Sequence, residues 1–146
     1  MIYSDQQKYW IWLSSIQGVG AAQFYQLINE YGEPGYVWDQ LILAKRLLTP
    51  AVYAHLKKAR SRDYIDELFG MMDETGTTAL IQMDDDYPDR LRGIPDAPPT
   101  LFARGDWQAL NAERAFAIVG SRRVTVDGAR FTETIAERLA ANGVTS

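Results

Sequence analysis

The feature that most constrains this chain is an apolar run that ends in a glycine, a hydroxyl residue and two arginines. The run covers residues 116–119, and the turn after it consists of Gly120, Ser121, Arg122 and Arg123. A helical pattern follows, with apolar residues on one face: Phe131, Ile135 and Leu139. This order predicts a buried strand over residues 115–119, a tight turn and a helix.

A turn between a strand and a helix favours anionic ligands. In an open α/β sheet it lies at the carboxyl edge of the strand, where free amides and the positive end of the helix attract phosphates. We therefore take the turn as the first candidate binding site, with Gly128 as part of the helix start.

Composition limits the class of protein. The chain has 146 residues, 47% of them hydrophobic, which is enough to bury one good core or two small ones. It has no cysteine, so it has no disulfide framework and no thiolate zinc site. No apolar run approaches the roughly 20 residues of a membrane helix, and the N-terminus lacks an export signal. We expect a cytoplasmic protein that does not contact membranes.

Charge is unevenly distributed along the chain. The net charge is -4, and acidic residues are concentrated in residues 73–113, which carry three cations and nine anions. The segment 45–62 has six cations and no carboxylate: Lys45, Arg46, Lys57, Lys58, Arg60 and Arg62. Such runs usually form a solvated helix face whose opposite charges come from neighbouring elements, and this is our interpretation here.

The first 76 residues read as a helical domain. Ser4 and Gln7 form a capping box before a first helix, and a second helical stripe follows the hairpin Gly18, Val19 and Gly20. This arrangement resembles the helix-hairpin-helix motif, whose hairpin amides hold DNA phosphates without reading sequence. Two uses of the hairpin remain open, direct contact with DNA and packing alone. Many such hairpins only pack small helical domains, and residues 17–23 contain no cation.

The other residues that stand out in this domain are expected to stabilise the fold and not to bind a ligand or catalyse a reaction. Thr49 with Pro50, and Ser61, are expected helix starts. We assign most of the aromatic residues to the core, because a domain of about 70 residues needs large side chains for packing. His55, the one histidine, has no partners that would make it a metal ligand or a catalytic base.

After Gly76 the hydrophobic period changes to that of strands. We expect a strand over residues 77–83 and a connecting segment up to residue 99. Asp84, Asp85 and Asp86 are interpreted as an acidic turn, because consecutive carboxylates point in different directions and make a poor magnesium site. An outer strand over residues 100–104 opens a final domain, residues 100–146.

Three motifs in fixed order carry a family resemblance. They are Tyr87-Pro88-Asp89-Arg90-Leu91, the stretch 94–105, and Ile118-Val119-Gly120-Ser121-Arg122 with Gly128 beyond it. With the Gly-Val-Gly hairpin, they make the chain similar over nearly its whole length to the DNA-processing protein family DprA, also called Smf. The implied fold is an α plus α/β arrangement: a helical SAM-like, helix-hairpin-helix domain, followed by the opening part of a Rossmann-like parallel-sheet domain.

The resemblance also implies a function. Members of this family act in natural transformation, where they bind incoming single-stranded DNA, protect it and help load the recombinase RecA. In the family, the Gly-Ser-Arg turn holds the DNA backbone; it maps here onto Gly120, Ser121 and Arg122, to which we add Arg123 and Gly128. No catalytic residue, metal or cofactor is implied. Arg122 suits this role because a guanidinium binds phosphate through two parallel hydrogen bonds.

Two departures from the family pattern matter. Asp127 stands where the family usually has an aromatic residue, and a carboxylate there stabilises the helix dipole but repels a phosphate. The Rossmann-like unit also stops at Gly143-Val144-Thr145-Ser146, where the next parallel strand is expected to begin. We expect an incomplete sheet with an exposed apolar face. The resemblance implies that the surfaces for self-association and for RecA lie in the part of the family's sheet that is absent here.

Two other functions remain open. One is a nucleotide-binding enzyme of the lysine-decarboxylase-like Rossmann group, although the chain lacks the G-x-G-x-x-G fingerprint and any recognisable catalytic arrangement. The other is a protein-interaction module in which the Gly120 turn is only a structural corner.

Overall fold

The structure is a computed structural model that describes residues 2–145. The chain divides into two compact units, Met1–Gly105 and Asp106–Ser146. The described part is mostly helical, and its one sheet has two antiparallel strands.

In its described residues, 2–105, the first unit contains seven α-helices and two strands. In chain order they are α1 (Asp5–Ser15), α2 (Ala21–Tyr31), α3 (Pro34–Asp39), α4 (Leu41–Ala44), α5 (Pro50–Ala59), α6 (Arg62–Glu74), β1 (Thr77–Ile81), α7 (Asp89–Arg92) and β2 (Thr100–Arg104). A 3-10 helix over Lys45–Leu47 extends α4. The second unit has a 3-10 helix over Trp107–Asn111 and one long helix, α8 (Val126–Ala141).

Local capping starts three of the helices, as predicted. The Ser4 side chain accepts from the Gln7 amide while the Gln7 side chain bonds back to Ser4, which completes a capping box. Thr49 caps α5 and Ser61 caps α6 in the same way. Each cap satisfies an amide that has no partner within its helix.

Helix α1 lies in the core of the first unit, and the prediction that the aromatic residues pack there is confirmed for several of them. Trp12 is fully buried, and its indole Nε1 donates to the Ala59 carbonyl oxygen at 2.9 Å. Its ring meets that of Trp38 edge-on, with centroids 4.8 Å apart. The hydrogen bond ties α1 to the end of α5 without leaving the polar indole nitrogen unpaired.

The strands predicted over residues 77–83 and 100–104 form as β1 and β2, both lie in the first unit, and they pair with each other. β1 and β2 are antiparallel, in a register that runs from Thr77 opposite Arg104 to Ile81 opposite Thr100. The acidic turn follows β1 directly. Asp84 accepts from the Ile81 amide at 2.9 Å, and Arg92 donates to the Asp84 carbonyl at 2.9 Å, so this aspartate supports the chain reversal.

The second unit corrects the prediction of a buried strand over residues 115–119. Only Ala115 is paired, in an isolated parallel bridge with Thr145, and no parallel sheet forms in residues 2–145. Val119 is 90% exposed and Phe116 is 56% exposed. The physical reason is that a strand needs a hydrogen-bonded neighbour along its length, and within the described chain only the segment at Thr145 lies beside it.

Candidate nucleic-acid interface

The predicted turn is fully accessible. Gly120, Ser121, Arg122 and Arg123 are all exposed. The Ser121 Oγ accepts a hydrogen bond from the Arg123 amide at 3.2 Å, which leaves the hydroxyl proton available to donate to a ligand. Within residues 2–145, neither arginine side chain has an ion pair or hydrogen bond. The turn therefore offers two unpaired guanidinium groups and one free hydroxyl donor.

The start of α8 depends on a residue that we did not single out from sequence. Thr125 is the N-cap, and its Oγ1 accepts from the Gly128 amide at 3.1 Å. A Cβ added to Gly128 would lie 3.1 Å from both Thr125 Oγ1 and Val124 Cγ2. Gly128 thus lets the cap close tightly, and its own amide is already used. In the sequence, the position of Thr125 three residues before Gly128 was the signal that could have identified this N-cap.

Asp127 lies in the first turn of α8 and is exposed. A carboxylate at this position interacts favourably with the helix dipole. It also places a negative charge near the amino end of the helix, where the amides of the first turn are oriented toward an incoming anion. The turn therefore combines cationic side chains with one opposing charge.

The second candidate, the hairpin of the first unit, has the form that its glycines suggested. Gly18 has a φ of +93°, and a Cβ there would lie 2.7 Å from Val52 Cγ2, so only glycine fits. Val19 is buried, and its amide is bonded to the Ile16 carbonyl at 3.0 Å. Gly20 is the N-cap of α2 and provides no side-chain cap. Gly18 lies against Val52 of α5 and Val19 is part of the buried core, while Gly18 and Gly20 remain exposed.

Residues 17–23 have no basic side chain, but α5 places basic groups next to the hairpin. The His55 Nδ1 lies 2.9 Å from the Gln17 carbonyl oxygen, to which it must donate because a carbonyl only accepts. His55, Gln17 and Lys58 line a shared cavity of about 320 Å³. These neighbours are distant in sequence, so chain order alone gave no sign of them.

In the basic run over residues 45–62, fewer cations form ion pairs with carboxylates than we predicted. Arg46 forms an ion pair with Glu30, a carboxylate on a neighbouring helix, as we expected. Lys57, Arg60 and Arg62 have no carboxylate partner among residues 2–145. The interpretation that neighbouring elements supply opposite charges is therefore correct for Arg46 and wrong for these three cations.

In the described part of the chain, no three His, Asp or Glu side chains are grouped so that they can hold a metal ion. Among the same residues, no helix combines the length and apolar character needed to cross a membrane.

Comparison with known proteins gives a family match over the part of the chain that contains the turn and its flanking motifs. Residues 78–146 match the family described as DNA recombination-mediator protein A. This match covers most of β1, the motif segment, the Gly120 turn and α8, and it makes this part of the chain similar to DNA recombination mediators.

A second comparison extends the similarity into the helical unit. The chain is 25% identical to the protein Smf of Synechocystis sp. over 148 residues, an alignment that covers 97% of this chain. The two comparisons make the chain similar to the DprA/Smf family, through the family model over residues 78–146 and through the Smf protein over nearly the whole chain. The chain spans 37% of the length of this curated relative.

Proposed function

We propose that this chain is part of a single-stranded DNA-binding protein that acts in natural transformation, where it protects incoming DNA and helps load RecA for recombination. Similarity to the DprA/Smf family supports the general role in DNA recombination. The contact with DNA is assigned to the turn of Gly120, Ser121, Arg122 and Arg123, together with the helix start at Gly128.

The observation that carries this proposal is the state of Arg122. Its guanidinium is exposed and forms no ion pair within residues 2–145. A planar guanidinium can hold one phosphate through two parallel charge-assisted hydrogen bonds. Ser121 adds a hydroxyl donor one residue away. These groups recognise the sugar-phosphate backbone and not the bases, so binding is expected to be largely independent of sequence.

Self-association and the contact with RecA are part of the same proposal. Apolar side chains are exposed in the second unit, among them Phe116, Val119, Val124 and Phe131. Exposed apolar groups in this number favour contact with another protein surface. A homo-oligomer of the full-length protein would cover some of them.

The test is the salt dependence of DNA binding. Binding to a fluorescein-labelled oligothymidylate should weaken linearly with the logarithm of salt concentration, with a slope of about 0.7 per phosphate neutralised. Arg122→Ala should weaken binding and reduce the slope by about 0.7. The matched control is Arg138→Ala, which removes one exposed arginine from the last turn of α8.

Other outcomes distinguish the two remaining functions. Wild-type affinity in the Arg122→Ala variant would remove Arg122 from the site. Binding of a mononucleotide without binding of oligothymidylate would instead favour the nucleotide-binding enzyme. Binding of neither would favour a protein-interaction module.

A further inference from the structure

A cleft between α5 and the start of α6 combines aromatic walls with cations. Its volume is about 600 Å³, within the range of ligand pockets. We call it the α5–α6 cleft. It is lined by Trp38, Leu41, Ile42, Tyr53, Lys57, Arg60, Ser61 and Arg62.

The cations of the cleft are not neutralised by the protein. Lys57, Arg60 and Arg62 are exposed and form no ion pair within residues 2–145. The Arg60 guanidinium has one long hydrogen bond, 3.4 Å, to the backbone carbonyl of Asp39. No carboxylate is among the residues that line the cleft. Three like charges around one cleft repel each other, and a bound polyanion relieves that repulsion.

The aromatic walls are held in place by the core. Trp38 packs edge-on against Trp12, and its ring centroid lies 5.4 Å from that of Tyr9. The Lys45 ammonium lies over the Tyr53 ring, 5.5 Å from its centroid, which adds a fourth cation beside the cleft. Ile42 is 76% exposed and adds apolar surface at the rim. Rings that pack against the core next to exposed cations suit a ligand that has both planar apolar faces and negative charge.

We propose that the α5–α6 cleft binds a nucleotide of single-stranded DNA, with its base against Trp38 and Tyr53 and its phosphates near Lys57 and Arg62. The inference rests on the proposed DNA-binding function and adds a contact in the helical unit. A single strand fits because its bases are free to stack on aromatic side chains. A duplex keeps its bases stacked inside, and an acidic peptide has no planar face to match the rings.

The charge test uses the whole chain with two matched variants. Lys57→Gln/Arg62→Gln removes two cations from the cleft, whereas Lys8→Gln/Arg104→Gln removes two cations from other parts of the same unit. Titration of fluorescein-labelled oligothymidylate at several salt concentrations should show about tenfold weaker binding for the cleft variant. Its salt slope should fall by about 1.4, since two phosphate contacts are lost. The control variant should stay within about twofold of wild type.

A second variant tests the aromatic wall. Tyr53→Leu keeps the charge of the cleft, so it should weaken binding by about fivefold or more with an unchanged salt slope. Circular dichroism melts of all variants show whether each is folded at the titration temperature. An unchanged affinity in folded Tyr53→Leu would overturn the stacking contact.

The outcomes separate this inference from the proposed function. If Arg122→Ala weakens binding and the cleft variant binds like wild type, the cleft proposal is overturned and the Gly120 turn stands. If the cleft variant weakens binding and Arg122→Ala does not, the cleft stands and the turn fails. Equal competition by duplex DNA or by polyglutamate would overturn the assignment of the cleft to single-stranded DNA.

Discussion

The indole Nε1 of Trp10 donates a 2.7 Å hydrogen bond to the carbonyl oxygen of Pro99, which ties α1 to the residue before β2. The same oxygen accepts from the Gln82 amide at 3.1 Å. Trp10 is buried, and its ring lies against Phe24 with centroids 4.9 Å apart. One side chain thus joins the helices of the first unit to its sheet.

Trp10→Phe should lower the free energy of unfolding by about 2–4 kcal/mol. The variant loses the hydrogen bond and part of the buried ring volume, and a cavity remains where the indole was. Urea unfolding followed by circular dichroism measures the loss. Tyr36→Phe, at an aromatic residue that is 56% exposed, is the control and should change stability by less than about 0.5 kcal/mol. Equal stability of the two variants would contradict this role of Trp10.

Gly18→Ala should destabilise the chain by about 2–3 kcal/mol. The backbone at Gly18 has a positive φ, and the added Cβ would meet the Val52 side chain at 2.7 Å. The control is Gly70→Ala within α6, where a Cβ meets nothing within 4 Å and should stabilise the helix by about 0.5–1 kcal/mol. Thermal melts of both variants measure the change in stability. A stabilising effect of Gly18→Ala would contradict the hairpin conformation described above.

Alkaline pH should destabilise the first unit through Tyr25. Burial raises the pKa of Tyr25, whose hydroxyl donates to Gln82 Oε1 at 2.7 Å and to the Ala97 carbonyl at 3.0 Å. A raised pKa means that the folded state keeps its proton when the unfolded state releases it. Stability from this group is therefore complete below about pH 10 and is lost as pH rises through the folded pKa.

Urea unfolding at several pH values from about 8 to about 11 measures this loss. Tyr25→Phe should make the decline with pH shallower. Part of the decline should remain, because burial also raises the pKa of Tyr3 and of Tyr87. A Tyr25→Phe profile parallel to that of the wild type would show that Tyr25 does not contribute.

Asp127→Asn should strengthen binding of oligothymidylate. The carboxylate lies in the first turn of α8, next to the proposed phosphate contacts, and repulsion at about 4 Å is worth about 1 kcal/mol in water. Affinity should rise by up to about fivefold. Glu137→Gln, farther along the same helix, is the control for the change in net charge. No gain in affinity for Asp127→Asn would mean that phosphate does not approach the start of α8.

The elements that the sequence predicted correctly depend on neighbours a few residues away. Ser4 with Gln7, Thr49 and Ser61 each cap a helix that begins beside them. Such hydrogen bonds close within three residues, so their signal is present in any short stretch of chain. The same holds for Gly76, whose positive φ of 62° marks the end of α6 and the start of β1.

The sequence by itself determined the helical character of the first unit and the strands β1 and β2. Tertiary structure decided the pairing of those strands, which joins Thr77 to Arg104. It also decided that residues 116–119 remain exposed, since an apolar run is buried only where other elements cover it. It brought Lys57 and Arg62 together beside Trp38 in a cleft whose described lining includes no carboxylate, because long-range packing, not chain order, sets which charges are neighbours.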